Sequence, residues 1–158
     1  MADNSLLKDI LMFATGVAAS VGTHEGGHME QAKREGLKLD WHGLKATSIG
    51  PMSDEYKMAG LGAQAEATEK ILNSDKPFSS YDLGMLAANT FEEITYPTIR
   101  NGTLDFKGLK NPGFYRAAFL AHSASVLGRI LWQDKEDNVK VGFQPSKDGA
   151  MLTLSFKW

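Results

Sequence analysis

The sequence contains no cysteine among its 158 residues. The fold therefore cannot depend on disulfide bonds, and a metal ion would have to be held by histidine, aspartate or glutamate side chains rather than by thiolates. The chain also lacks an excess of either charge, since 17 basic and 19 acidic residues leave a formal net charge of -2. Without a basic stripe that follows a phosphate backbone, nucleic acid is not expected as a partner.

The sequence has no clean membrane-spanning run either. No stretch reaches the roughly 20 uninterrupted apolar residues of a transmembrane helix, because Lys8 and Asp9 flank the longest apolar segment. The basic region that opens a secretory signal is absent, although residues 10–21 resemble the core of one. These features favour a soluble or membrane-peripheral protein, and they leave a cell-envelope or integral membrane location open.

Hydrophobic periodicity predicts about four helices, with capping residues, proline or glycine at their ends. The alternation that follows the first helix predicts a short strand segment or hairpin, and the C-terminal segment alternates around a turn as a β-hairpin does. A chain of this length forms one domain, residues 1–158, which we expect to be α+β and mostly α-helical. The predicted helices cover residues 5–34, 53–72, 80–96 and 112–132, and the predicted strands cover residues 37–47, 139–143 and 152–158.

The strongest chemical signal is His24-Glu25-Gly26-Gly27-His28, in the second half of the first predicted helix. Two histidines four residues apart project from one face of a helix, so both imidazoles can reach one metal ion. The intervening Glu25 is placed to take a proton from a water molecule whose pKa the metal lowers. Each glycine costs a helix interior about 1 kcal/mol relative to alanine, so we expect substrate or another helix to approach closely there.

This segment resembles the zinc-binding signature of the zincin metallopeptidases. In that superfamily the two histidines bind zinc and the glutamate is the general base, which implies these roles for His24, His28 and Glu25. Residues 29–36 contain no histidine, so the likeness is to the gluzincin branch, whose third ligand is a glutamate on a later helix. The resemblance implies a single zincin-like domain that binds Zn2+ and cleaves a peptide or protein substrate.

Glu66, on the second predicted helix, is the first candidate for the third zinc ligand. It lies among glycine and alanine residues, where a carboxylate is expensive to bury unless it binds something. Glu69 is the next candidate, as a ligand or as the carboxylate that orients a ligand histidine. The alternative is an ordinary exposed face on which Glu66, Glu69 and Lys70 form weak ion pairs.

His122 lies in the middle of the fourth predicted helix. One interpretation is a core histidine held by a neighbour. In a catalytic interpretation it donates a hydrogen bond to the oxyanion of a tetrahedral intermediate, or replaces Glu66 as the third ligand. Glu92 and Glu93 are adjacent on the third helix and do not share a face, so we do not expect them to act as a carboxylate pair.

These features leave three functions open. The first is a zinc-dependent metallohydrolase, most simply a peptidase, with a vacant coordination position in a cleft. The second is a non-catalytic protein whose metal stabilises a structural or interaction module. The third is a membrane-associated component of a larger complex, in which glycine-rich helices and the C-terminal hairpin contact the membrane or a partner protein.

Overall fold

The fold consists mainly of α-helices. The computed structural model describes residues 4–42, 45–98, 105–132, 139–146 and 149–156, and the side chains of residues 5–40, 49–98 and 105–131. The predicted mostly helical fold with four helices is confirmed within these residues. In chain order the elements are α1 (Asn4–Glu35), β1 (Lys38–His42), β2 (Lys45–Ile49), α2 (Asp54–Leu72), α3 (Ser80–Thr98), α4 (Pro112–Trp132), β3 (Val139–Ser146) and β4 (Gly149–Phe156).

Both strand pairs are antiparallel. β1 pairs with β2 directly after α1, with Lys38 opposite Ile49. The backbones of β3 and β4 pair with Val139 opposite Phe156. The side chains of β3 and β4 lie outside the described set, so the packing of this hairpin on the helices stays a prediction.

Local chemistry sets most helix ends. Gly36 adopts a positive φ of 67° directly after α1, a conformation that glycine adopts without steric cost at the end of a helix. Ser53 caps α2, because its hydroxyl accepts a hydrogen bond from the backbone N–H of Tyr56. The predicted end of α3 at Tyr96 is two residues too early, because the helix runs through Pro97 to Thr98. A proline this close to the end removes only one backbone hydrogen bond of the last turn.

The first half of α1 packs against α3 with the two backbones in contact. A Cβ atom added at Gly16 would lie 2.1 Å from the carbonyl oxygen of Tyr81, and one added at Gly84 would lie 2.1 Å from that of Phe13. No side chain fits at either glycine without separating the helices. The two glycines therefore fix how closely α1 and α3 approach each other.

The second half of α1 approaches α2 in the same way. A Cβ atom at Gly27 would lie 2.3 Å from the carbonyl oxygen of Ala59, whereas one at Gly26 would meet nothing within 4 Å. The close helix approach predicted at the motif is thus confirmed for Gly27, while the reason for Gly26 is not found in the helix packing.

A buried polar network joins the three helices between these two crossings. The hydroxyl of Ser20 donates to the Asn89 side-chain oxygen at 2.6 Å. The Asn89 amide in turn donates to the Thr68 hydroxyl at 2.9 Å and to the backbone carbonyl of Gln64 at 3.1 Å. All four residues are fully buried, so these bonds satisfy groups that would otherwise cost free energy to remove from water.

Candidate metal centre

His24 and His28 lie one turn apart on α1 and face α2. Each is only 6 % exposed, and their Nε2 atoms are 3.2 Å apart. On α2, Gly60 faces this pair: a Cβ added there would lie 2.6 Å from the Nε2 atom of each histidine. The absence of a side chain at Gly60 leaves the space around the two nitrogens open.

Asp105 completes a group of three ligand-type side chains. Its Oδ2 atom is 3.3 Å from His24 Nε2, and its Oδ1 atom is 3.5 Å from His28 Nε2. The aspartate lies between α3 and α4 in a segment held by Phe106 and Leu109, which pack into an apolar cluster with residues of α2. α2 therefore positions the aspartate as well as facing the histidines.

The partners of the two Nδ1 atoms determine where the histidines carry their protons. His28 Nδ1 is 2.8 Å from the backbone carbonyl oxygen of Tyr56, which only accepts, so this nitrogen is the donor. His24 Nδ1 is 3.1 Å from Gln64 Oε1. The Gln64 amide nitrogen donates to a Glu92 carboxylate oxygen at 2.9 Å, so the amide oxygen must face His24. In the neutral form of both rings, Nε2 therefore carries a lone pair.

The three groups fit a zinc ion. Two nitrogen lone pairs and a carboxylate converge at 3.2 to 3.5 Å from one another, with no proton between them when the rings are neutral. Ligand atoms at tetrahedral angles and about 2.0 to 2.1 Å from zinc lie about 3.3 to 3.4 Å apart. The two nitrogen lone pairs and the carboxylate oxygens repel one another at these distances, and a cation bound between them would remove that repulsion. Two histidines with one carboxylate also match the three protein ligands of catalytic zinc sites.

The carboxylates around His24 also change the pKa of its imidazole. Burial lowers the pKa of His24, but the hydrogen bonds with Asp105 and Gln64 and the negative charges of Asp105 and Glu92 outweigh it, and the pKa is raised. A proton on His24 Nε2 relieves the repulsion between the nitrogen lone pair and the Asp105 carboxylate, and a metal ion bound there would relieve it in the same way. Glu92 contributes at a distance of 3.6 Å from His24 Nδ1.

Glu25 and two tyrosines border the centre. The ring centroids of Tyr96 and His24 are 5.7 Å apart, and those of Tyr56 and His28 are 5.2 Å apart. Burial raises the pKa of Tyr96 to about 12, and the negative charges of Glu92, Asp105 and Glu25 contribute. Burial also raises the pKa of Tyr56, with contributions from Glu25 and Asp105. The half-buried Glu25 therefore adds negative charge to the surroundings of both tyrosines.

Glu66 does not reach this centre, which corrects its predicted role as third ligand. Its Oε1 atom pairs with Lys70 Nζ at 2.6 Å, and its side chain is 69 % exposed. The hydrogen bond from Lys70 lowers the pKa of Glu66. Because α2 turns Gly60 and Gln64 toward α1, a residue two positions after Gln64 points to the opposite side. The exposed ion pair is the alternative that the sequence had left open.

Glu69 and His122 belong to a second polar cluster, away from the histidine pair. His122 Nε2 is 3.3 Å from Glu69 Oε1, and His122 Nδ1 is 2.7 Å from Glu93 Oε2. Arg129 donates to both oxygens of Glu69 at 2.9 and 2.7 Å and lowers the pKa of that carboxyl. The proposed roles of Glu69 as third ligand and of His122 as ligand or oxyanion donor are not supported by this arrangement.

The adjacent carboxylates of α3 serve these two clusters separately. Glu92 faces His24 and Gln64, whereas Glu93 faces His122 and the hydroxyl of Ser123. Burial raises the pKa of Glu93. The expectation that the two carboxylates do not share a face is confirmed, but each has a role that their adjacency in the sequence did not indicate.

Gln64 is the partner of His24 that we expect to matter most for metal affinity. In Gln64→Leu, the Nδ1 donor of His24 and the Glu92 carboxylate lose a buried partner. We expect zinc affinity to fall about 10- to 100-fold, with a loss of about 1 to 3 kcal/mol in the free energy of unfolding. Competition with a chromogenic chelator measures the affinity, and urea unfolding measures the stability.

The matched control is Gln31→Leu. Gln31 lies on α1, and its amide donates at 2.8 Å to Glu35, which is not one of the three candidate ligands. This variant should bind zinc as the unaltered protein does. Equal zinc affinities in Gln31→Leu and Gln64→Leu would contradict an orienting role for Gln64.

Asp105, Gln64 and Glu92 are the site residues that sequence reasoning missed. Asp105 lies in a loop, and no other ligand-type residue precedes or follows it at a spacing typical of a metal-binding motif. The nearby Phe106 and Leu109 were the available signal, because apolar residues in a loop indicate a segment that is anchored to the core. That signal places the loop against the helices but does not say which of its polar residues faces the histidines.

Among the described residues, one group of three histidine, aspartate or glutamate side chains has ligand atoms close enough to hold a metal ion, and it consists of His24, His28 and Asp105. The first two members were predicted and the third was not. No protein family, curated protein or solved structure matches this chain.

Proposed function

We propose that this chain is a zinc-dependent hydrolase whose metal is held by His24, His28 and Asp105. The observation that supports the proposal is the convergence of two imidazole lone pairs and one carboxylate at the spacing of a tetrahedral zinc site. A zinc ion held by three protein ligands lowers the pKa of a water molecule bound to it. A peptide bond is the substrate linkage that the zincin-like motif favours.

Glu25 is the general base in this proposal. It follows His24 directly on α1 and is half-buried, and its negative charge contributes to the raised pKa values of Tyr56 and Tyr96 beside the two histidines. In the proposed hydrolase it would take the proton from the water and return it to the leaving amine. Tyr96 takes over the role first considered for His122: a hydroxyl whose pKa is about 12 stays protonated at neutral pH and can donate to a developing oxyanion.

Burial of the centre favours a second candidate function. The two histidines are almost inaccessible and Asp105 is 16 % exposed, which also suits a structural metal that is closed to substrate. In that case the metal joins α1 to the segment between α3 and α4 and contributes stability without turnover. The protein would then be a metal-stabilised interaction module.

The substitution Glu25→Gln separates the two functions. In a hydrolase it keeps near-stoichiometric zinc, because Glu25 is not a ligand, and it lowers turnover about 10²- to 10⁴-fold, because general base catalysis is lost. Zinc is measured by elemental analysis of the purified full-length protein. Turnover is measured on fluorogenic peptide libraries, with and without chelator.

Glu30→Gln is the control for this experiment. Glu30 lies on the same helix, is exposed and pairs with Arg34, so this variant should keep both zinc and turnover. Full turnover in Glu25→Gln would contradict the role of Glu25. Zinc-dependent stability in the unaltered protein without turnover on any peptide would favour the structural metal, and failure to bind zinc at all would refute both functions.

A further inference from the structure

The outer face of α1 is a continuous apolar surface. It is formed by Leu6, Leu7, Ile10, Leu11, Val17 and Val21, which are 36 to 59 % exposed, with exposed alanines between them. At 100° per residue these positions span about 140° of the helix circumference and about 23 Å of its length. By length and by the composition of its apolar half, α1 is also the one helix in the described part of the chain that could cross a membrane.

This half of α1 is an integral part of the fold. Its opposite face meets α3 at Gly16, where the backbones touch, and Ser20 belongs to the buried network that joins three helices. Near its start, Asp9 accepts a hydrogen bond from the Ser80 hydroxyl at 2.9 Å. These contacts fix the rotation of α1 about its own axis, so the aliphatic side chains point away from α3.

The chemistry of the face fits lipid better than a protein partner. Its side chains are all aliphatic, whereas the centres of protein interfaces are enriched in tyrosine, tryptophan and arginine. At the border of this face, the exposed hydroxyl of Thr15 donates back to the carbonyl oxygen of Leu11 at 2.8 Å. It therefore needs no water molecule as a partner, which is the requirement that a bilayer imposes.

The charges on α2 argue against an arrangement in which the whole bundle is embedded in a membrane. Ala59 meets Gly27 of α1, and Gln64 meets Ser20, so the two helices run antiparallel and α2 residues after Gln64 lie beside the apolar part of α1. There α2 exposes the ion pair of Glu66 and Lys70. Charged side chains facing hydrocarbon are costly, so this side of the bundle faces water.

We propose that α1 lies in the plane of a membrane surface, with its aliphatic face among the lipid acyl chains and α2 on the aqueous side. The arrangement is that of an interfacial helix whose binding energy comes from apolar burial. No lysine or arginine lies on the aliphatic face, so attraction to anionic lipid is not required. The inference concerns membrane attachment and stands whether or not the metal centre is catalytic.

Vesicle flotation of the purified full-length protein tests this proposal. The protein should float equally with vesicles of phosphatidylcholine and with vesicles that also contain phosphatidylglycerol, and high salt should not release it.

The double substitution Ile10→Gln and Val17→Gln should weaken binding more than about tenfold, because two aliphatic side chains leave the lipid. Phe91→Gln, which changes an exposed apolar residue of α3, should leave binding unchanged. Zinc content and circular dichroism establish that each variant is folded.

Because the chain has no cysteine, single cysteines report the orientation of the helices. Lys70→Cys should react fully with a membrane-impermeant maleimide added outside the vesicles, whereas Ile10→Cys should be protected. Protection of Lys70→Cys would overturn the surface-bound arrangement in favour of a spanning one. Absence of flotation would also overturn the proposal. A dimer that forms without lipid and that the Ile10 and Val17 substitutions dissociate would overturn it as well, because a second copy of the chain would then cover the aliphatic face.

Discussion

Zinc should be lost from Asp105→Ala and retained by Glu66→Ala. Removing Asp105 leaves two neutral imidazoles with no negative ligand, so we expect zinc affinity to fall more than about 100-fold, beyond the loss typical of an indirect partner. Glu66 instead pairs with Lys70 in solvent, and an exposed pair of this kind contributes little. Elemental analysis after dialysis against a weak chelator measures both variants.

His24→Ala serves as the reference for complete loss of the site, since it removes a ligand predicted from both sequence and structure. Asp105→Ala should match it. Asp105→Asn, which keeps the shape but removes the charge, should also bind weakly. If Glu66→Ala loses zinc while Asp105→Ala keeps it, the arrangement of ligands described above is wrong and the gluzincin-like assignment of Glu66 is restored.

A single methyl group at Gly60 should abolish the metal centre. In Gly60→Ala the new Cβ would lie 2.6 Å from the Nε2 atom of both His24 and His28, far inside contact distance. Either the imidazoles rotate away, which removes the two ligands, or α2 moves away from α1, which disturbs Gln64 and Asp105 as well. We expect zinc affinity to fall more than about 100-fold, together with loss of any zinc-dependent turnover.

Gly62→Ala is the matched control on the same helix. A Cβ at Gly62 meets nothing within 4 Å, and alanine is favoured over glycine in a helix interior by up to about 1 kcal/mol. This variant should therefore keep its zinc and unfold at a slightly higher temperature. Retention of zinc by Gly60→Ala would contradict the position of α2 over the histidine pair.

The helices and the histidine pair were predictable because their determinants are local. The 3.6-residue period, the capping hydroxyl of Ser53 and the proline at the start of α4 each act within one or two turns. The spacing of His24 and His28 fixes their common face on any helix. Such features depend little on the rest of the chain.

The third ligand depends on how the helices pack. Glu66 was favoured because a carboxylate among glycine and alanine seemed expensive to bury, but these small residues occupy several sides of α2 and only some of them are buried. Which side faces α1 is decided by Gly27 and Gly60, where the backbones come close. Asp105 reaches the histidines only because Phe106 and Leu109 bind the core, a contact between segments far apart in the sequence.

The order of the ligands along the chain has a consequence for how the protein is made. Both histidines are synthesised before α2 and α3, and Asp105 after them. If the chain binds zinc as proposed, a growing chain presents only His24 and His28 until most of its helices have left the ribosome, and the third ligand becomes available only with the segment that carries Asp105. Zinc binding would then be linked to the last packing steps of the fold.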